Sequence, residues 1–248
     1  MNYAIKENQT LIRKQFYLGE PIDICVVSCN RLVYLQKCIW SIVANTTVPH
    51  RIFVIDDNSK DGSQEWLANM LKRNIIHKVV INKINKGTAW NFNHIINKSS
   101  SKAFVMTNED MYFHRYWDIA TIHIINKFSD AGLVSFYNYT RYGVDEGVEQ
   151  LDEVTLSVPR TGLGACLIVR ELFDKTEGFI LPEGHLMGFF ATPFCVRASK
   201  VPILRNKHYA TIPYYATHMD IPSNRLSERE SLEEYGNMRK KNKRAKGS

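Results

Sequence analysis

The stretch IDICVVSCNRLVYLQKCIWSIVANTTVPHRIFVIDDNS, residues 22–59, decides the fold. It opens on IDICVVS, a β-branched run with the character of a buried parallel strand. Leu32, Leu35, Ile39, Ile42 and Val43 then follow at helical spacing, with Asn30 ahead of them as the candidate N-cap. RIFVIDD, residues 51–57, is a second apolar strand, and it ends in two carboxylates. Strand, helix and strand in this order make a β-α unit that returns to the same sheet.

The pattern continues outward. NSKDGSQEWLANMLKRN turns through Asp61, Gly62 and Ser63 into a second helix, and HKVVIN gives a third strand. NKGTAWNFNHIINKS is a third helix, and KAFVMT a fourth strand that runs into Asn108, Glu109 and Asp110. The alternation predicts an α/β fold: a mostly parallel central sheet, right-handed crossovers, flanking helices, and ligands at the carboxyl ends of the strands. Asp56, Asp57, Glu109 and Asp110 all fall at that edge. Clustered carboxylates repel one another and resist desolvation unless a cation, a donor group or water meets them. A divalent cation with a diphosphate is one occupant that would satisfy them; solvated loop acids or helix caps are the other reading.

Composition sets the frame. A chain of 248 residues with 44% hydrophobic content fits one large α/β domain. The expected division is an extension over residues 1–21, a single domain over 22–222 and a polar basic tail over 223–248. The domain would divide into halves at 22–118 and 119–222. The net charge of +7 is concentrated late: MRKKNKRAKGS holds six basic residues, and the rest of the chain is close to neutral. A solvated tail is therefore expected rather than a specific nucleic-acid or membrane contact. Cys25, Cys29, Cys38, Cys166 and Cys195 are odd in number and form no C-x-x-C pair, which predicts reduced thiols. MNYAIKENQT lacks the apolar core of a signal peptide, and no run approaches a membrane span of roughly 18 apolar residues, so a cytoplasmic protein is expected.

Residues 26–67, VVSCNRLVYLQKCIWSIVANTTVPHRIFVIDDNSKDGSQEWL, resemble the opening of a family 2 glycosyltransferase with the GT-A fold. In that family a strand ending near Asn-Arg is followed by a helix and then by a strand ending Asp-Asp-Gly/Asn-Ser. INKINKGTAWNFNHII is similar to its Asn-x-Gly segment with a downstream Asn, and FVMTNEDMYF stands at the place of its Asp-x-Asp motif. The resemblance covers residues 22–118, and the order of the pieces makes it specific.

The resemblance implies a metal-dependent hexosyltransferase-type enzyme that uses a nucleotide-diphosphate sugar, with UDP as the expected carrier and Mn²⁺ or Mg²⁺ as cofactor. Asp57 would accept from a uridine-type base, while Asp56 orders the turn beside it. Ser28 and Asn30 would line the nucleotide pocket, where Cys29 replaces an aromatic residue that many relatives stack on the base. Asn108 would lie near the ribose or diphosphate. Glu109 or Asp110 would hold the metal, depending on how the motif is aligned. His218, at the end of the strand-like PYYATH, is a candidate further ligand.

The second half departs from the pattern. AGLVSFYNY reads as a strand, residues 138–157 as a variable connection that suits an acceptor, and TGLGACLIVRELFDKTEGF as the family's small-residue strand, short helix and Gly-Phe turn. Gly162 and Gly164 would allow close approach of the donor sugar or simply bend the strand. Relatives then carry a Glu-Asp pair whose Asp deprotonates the acceptor hydroxyl. Counting back from Arg197, this chain has Phe190 and Ala191 there. Glu183 and His185 are the nearest titratable replacements for the base. A retaining mechanism, or a module of the same fold that binds nucleotide or sugar without transfer, also fits the missing pair. The acceptor, whether glycan, lipid-linked or protein, is not encoded in any of these motifs, and neither is the oligomeric state.

Overall fold

The apolar runs that open the chain become neighbouring parallel strands. The computed structural model describes residues 21–137, 147–159, 162–180, 191–212 and 215–219. β1 (Ile22–Ser28), β2 (His50–Asp56), β3 (Lys78–Ile81) and β4 (Ala103–Asn108) lie in the order β3-β2-β1-β4. Ser28 pairs with Asp56 and Val27 with Asn108, so the three inner strands end at one level.

Beyond β4 the sheet becomes mixed. β9 (Ala165–Val169) runs antiparallel between β4 and β6 (Ala131–Ser135), and β10 (Lys207–Thr211) lies parallel to β6. β8 (Thr155–Ser157) and β7 (Glu149–Gln150) complete the nine-stranded sheet as antiparallel strands, with β7 at the edge. A separate ribbon pairs β5 (Met111–Phe113) with β11 (Ala216–His218).

Both faces of the inner strands are covered, which is why β1 is apolar without alternation. Ile24 and Val26 pack against Leu35, Ile39 and Ile42 of α1 (Leu32–Asn45) and Leu67 and Met70 of α2 (Ser63–Lys72), in a cluster that also takes in Trp117 of α4 (Trp117–Lys127). Cys25 and Val27 face Phe92 and Ile95 of α3 (Thr88–Ile96), with Phe173 of α5 (Arg170–Lys175) and Phe194 of α6 (Ala191–Ala198). Each fully buried Leu, Ile or Phe stabilises this sandwich by about 1.5–3 kcal/mol.

Two sequence expectations change here. Asn30 does not cap α1: Arg31 holds the N-cap position, and Asn30 adopts φ 53 with its Oδ1 accepting from the Lys60 amide at 2.7 Å. The capping acceptor is instead Asp61, whose Oδ2 takes the Leu32 amide at 2.7 Å and whose Oδ1 takes the Ser63 amide at 3.2 Å. One carboxylate thus starts both α1 and α2, because the turn after β2 lies against the turn after β1. Val43 also leaves the buried stripe of α1 and is 40% exposed; Cys38 and Ser41 take the inner positions.

All five cysteines are free, four of them buried and Cys29 partly so. Among the described residues no helix is long and apolar enough to cross a membrane.

Candidate functional site

The shared level of the strand ends creates the site. Just past them, the Asp57 amide donates to the Ser28 carbonyl at 2.8 Å and the Glu109 amide to the Val27 carbonyl at 3.2 Å. Cys29 therefore sits between two acidic strand ends. Burial, and then Asp57, Glu109 and Asp56, push its thiol up to about 11. Its amide approaches Glu109 Oε1 at 3.4 Å.

On the β2 side, Asp57 is buried and accepts from three protein donors. Its Oδ1 accepts from Asn82 Nδ2 at 2.9 Å and the Lys86 amide at 2.8 Å, and its Oδ2 from the Gly87 amide at 3.0 Å. Gly87 presents that amide from φ 83, a conformation that favours glycine. Asn82 also donates to Asn91 Oδ1 at 2.7 Å, which ties the loop to α3. Asp56 orders the turn beside it: its Oδ1 accepts from the Ser59 amide at 2.9 Å and Gln64 Nε2 at 3.1 Å. The Asn30 amide donates to Ser59 Oγ at 2.8 Å. Two polar atoms in this corner, Ser28 Oγ and Asp56 Oδ2, are buried without a hydrogen-bond partner.

On the β4 side, the β5–β11 ribbon sets His218 opposite Met111 and so beside Asp110. His218 Nε2 lies 3.3 Å from Asp110 Oδ2, and Arg31 Nη1 reaches the same oxygen at 2.9 Å. The Met219 amide donates to the Asp110 carbonyl at 2.7 Å, which fixes the residue from behind. Asp110 Oδ1 is buried without a partner. Burial and the neighbouring Asp110 push the Glu109 carboxyl up to about 8. The Asn108 amide donates to the Gly164 carbonyl at 3.3 Å, joining this corner to β9.

The candidate metal ligands are thus only partly assembled. Asp110 and His218 share an oxygen contact, but among the described residues no group of three His, Cys, Asp or Glu side chains is gathered around one point. A carboxylate with an unpartnered buried oxygen beside an imidazole still suits Mn²⁺ or Mg²⁺, which would complete its shell with phosphate oxygens and water.

The opposite wall comes from the second half of the chain. Gly164 faces the Tyr137 ring and Met111; a Cβ there would make an ordinary contact of 3.5 Å with Tyr137. Asn93 holds the Gly-Phe turn at both ends, accepting from the Phe179 amide at 2.8 Å and donating to the Phe179 carbonyl at 2.8 Å. A side chain at Gly178, which has φ 70, would place its Cβ 2.7 Å from Asn93 Oδ1. Arg197 Nη2 donates to the Gly178 carbonyl at 2.6 Å. Glu183 and His185 fall in 181–190, outside the described residues, and Ala191 is the first residue of α6.

Sequence reasoning passed over Arg31 and Asn82, and it placed Asp61 only at the start of the second helix. Arg31 was visible as a cation at one strand end facing an acidic cluster at another. The contacts of Asn82 with Asp57 and of Asp61 with Leu32 span 25 and 29 residues and leave no local pattern.

A mixed sheet with an acid-lined crevice at its parallel strand ends, and an acid at the end of β4, has the architecture of the GT-A fold. The chain belongs to the Glycosyl transferase family 2, whose profile matches residues 23–236. Similar solved structures share the fold at low identity. GalNAc-T7 with UDP, GalNAc and Mn²⁺ has TM-score 0.65 at 15% identity, over 80% of this chain and 43% of that one. Residues 1–349 of TarS from S. aureus with UDP-GlcNAc give TM-score 0.61 at 15% identity, over 82% and 61%. The mannosyltransferase PcManGT from Pyrobaculum calidifontis with GDP-Man and Mn²⁺ gives 0.61 at 14% identity, over 89% and 66%. This chain therefore spans about half to two thirds of the length of these structures. Among curated protein sequences no match is found.

Proposed function

We propose that the chain transfers a hexose from a nucleotide-diphosphate sugar, with UDP as the carrier, to an acceptor hydroxyl on a glycan, lipid-linked or protein substrate. The observation that carries the reading is Asp110: a strand-end carboxylate with one buried, unpartnered oxygen, at the mouth of a family 2 crevice. Asp110 with His218 and Glu109 would hold Mn²⁺ or Mg²⁺, which supplies charge stabilisation to the departing diphosphate. Ser28 and Asn30 line the nucleotide corner, and Asn108 lies toward the ribose or diphosphate. Asp57 accepts from three protein donors, and a carboxylate has about four acceptor sites, so one remains for a base N–H. Glu183 and His185 are the proposed bases. Five free thiols suit a reducing, cytoplasmic setting.

The test is calorimetry of UDP binding with Mn²⁺, on the wild type and on a Glu109→Ala/Asp110→Ala double variant, followed by turnover with a panel of nucleotide sugars. Weakened binding in the double variant and in EDTA supports the reading; equal affinity in all three overturns it. Phe190 and Ala191 at the family's Glu-Asp position favour a second reading, a binding module without transfer. Metal-dependent UDP binding without turnover of any donor would select it.

A further inference from the structure

The β3 edge of the molecule carries one sign of charge. Between Glu65 and Glu109 the chain has seven Lys and Arg residues and no Asp or Glu, and all seven are exposed. This span holds most of α2, then β3, the loop after it and α3, and β3 is the outermost strand of the sheet. Lysines that guard an open strand edge would explain Lys78 on β3, but not Lys83, Lys86 and Lys98, which stand just before and just after α3.

The outer face of α3 is a column of rings between cations. The Lys86 ammonium lies 5.6 Å from the centre of the Trp90 ring, and Trp90 stacks on His94 at 4.7 Å with 10° between the planes. Burial and then the charge of Lys98 lower the pKa of His94 from its ordinary 6.5, so this second ring is neutral at pH 7. Trp90 is 40% exposed, and the segment before it exposes Ile84 by 58% and Ile81 by 46%. A single exposed isoleucine needs no explanation; three large apolar side chains within ten residues of an acid-free segment do. The acids Glu171, Asp174 and Glu177 belong to α5 and the turn after it, on the other flank of α3. That flank meets the turn through Asn93 and Phe179, while the β3 flank is tied through Asn91 and Asn82.

We infer that this face, centred on Trp90, docks on the surface of an anionic lipid bilayer. The lysines meet the lipid phosphates, and Trp90, Ile81 and Ile84 enter the boundary between headgroups and acyl chains, the depth that an indole ring favours. A polyanion such as a nucleic acid would satisfy the lysines but leave both isoleucines in water, so a lipid surface fits the face better. The loop that carries Ile84 and Lys86 also borders the acid-lined crevice, since the Lys86 amide donates to Asp57 Oδ1 at 2.8 Å. On the transferase reading above, docking holds the crevice beside the headgroups and so selects a lipid-linked acceptor. The docking itself does not rest on that reading.

The experiment is vesicle sedimentation with tryptophan fluorescence, on the full chain without donor or acceptor. The vesicles are phosphatidylcholine with and without phosphatidylglycerol, with bromine on the acyl chains to quench an inserted indole. The wild type is expected to bind the anionic vesicles far more tightly than the neutral ones and to lose fluorescence on binding. Trp90→Phe should still bind but lose that quenching. The basic tail MRKKNKRAKGS contains no Trp, so attachment through the tail alone gives binding without quenching. Lys83→Gln/Lys86→Gln/Lys98→Gln should bind about a hundredfold more weakly, at roughly fivefold for each lysine near an anionic leaflet, with an unchanged melting temperature. No binding to the anionic vesicles, binding without quenching, equal quenching in Trp90→Phe, or wild-type affinity in the triple variant overturns the inference. Preference for RNA over the vesicles also overturns it and assigns the face to a polyanion. None of these outcomes touches the transferase reading, which donor turnover tests separately.

Discussion

The Asp57 carboxylate and the Gly87 amide meet at 3.0 Å across thirty residues of sequence, and this contact ties the start of α3 to the end of β2. Asp57 also holds Asn82 and the Lys86 amide, so it braces the whole loop between β3 and α3. Asp57→Ala would leave three inward-facing donors without an acceptor. Hydrogen bonds to charged groups are worth about 1.5–3 kcal/mol each, and partial rehydration brings the expected loss of stability to about 2–4 kcal/mol. Hydrogen exchange should quicken over 82–87 in particular. If exchange there is unchanged and only UDP binding falls, Asp57 is a ligand to the base and not a brace.

At the other end of the same strands, Arg51 grips Asp23 with Nε to Oδ1 at 2.6 Å and Nη2 to Oδ2 at 2.9 Å. Burial opposes ionisation of Asp23, but the bonds from Arg51, Ser99 and Ser101 outweigh it and hold the carboxyl below its ordinary value of 3.8. The carboxylate is therefore more stable folded than unfolded. Its contribution is present above pH 3.8 and is lost as pH falls through the lowered value. Breaking a buried pair by removing one partner costs about 3–5 kcal/mol, so Asp23→Ala should melt far below the wild type at pH 7. The gap should narrow in acid; a constant gap from pH 7 to pH 2 would show that Asp23 acts through packing alone.

The inner strands were legible because β1, β2 and β4 are buried on both faces, and their β-branched runs end in turn residues. The insertion of β9 beside β4 was not: ACLIV is equally apolar whichever way it runs, and only tertiary pairing fixes its direction. The acidic edge could be read from Asp57, Glu109 and Asp110, yet the partners of those acids could not. Arg31 meets Asp110 across 79 residues, and a side-chain contact of that span leaves no periodic trace. The Asn30 cap failed for the same reason, since Asp61 arrives from another turn to take the Leu32 amide.

Glu109 gives the site its own pH signature. Its carboxyl is pushed from an ordinary 4.5 up to about 8 by burial and by Asp110, so the folded metal-free protein binds a proton that the unfolded chain has released in that range. Stability should therefore fall as pH rises from about 4.5 to about 8, and level off above. Glu109→Gln should abolish that slope. Uptake of Mn²⁺ with UDP near pH 7 should expel the proton, which calorimetry in buffers of different ionisation enthalpy would detect. A melting profile identical in wild type and Glu109→Gln would mean that Glu109 is ionised and solvated in the folded protein.

The last question is which group takes the proton from the acceptor. The chain entering 181–190 is fixed by Asn93 on Phe179 and by Arg197 on the Gly178 carbonyl, and α6 begins at Ala191. Glu183 and His185, which lie outside the described residues, are the bases proposed for the acceptor. For an inverting enzyme some carboxylate or imidazole must reach the acceptor hydroxyl, and Glu183 and His185 are the candidates. Loss of a general base typically costs about 10²–10⁴ in rate, so Glu183→Gln or His185→Ala should lower turnover at least about a hundredfold with UDP affinity kept. Asn93→Ala should loosen the anchor and reduce turnover less, because the base remains. If both loop variants turn over like the wild type, the anomer of the product read by NMR decides between the rest. A retained anomer means that no such base is needed, and an inverted one places the base on a residue outside this loop.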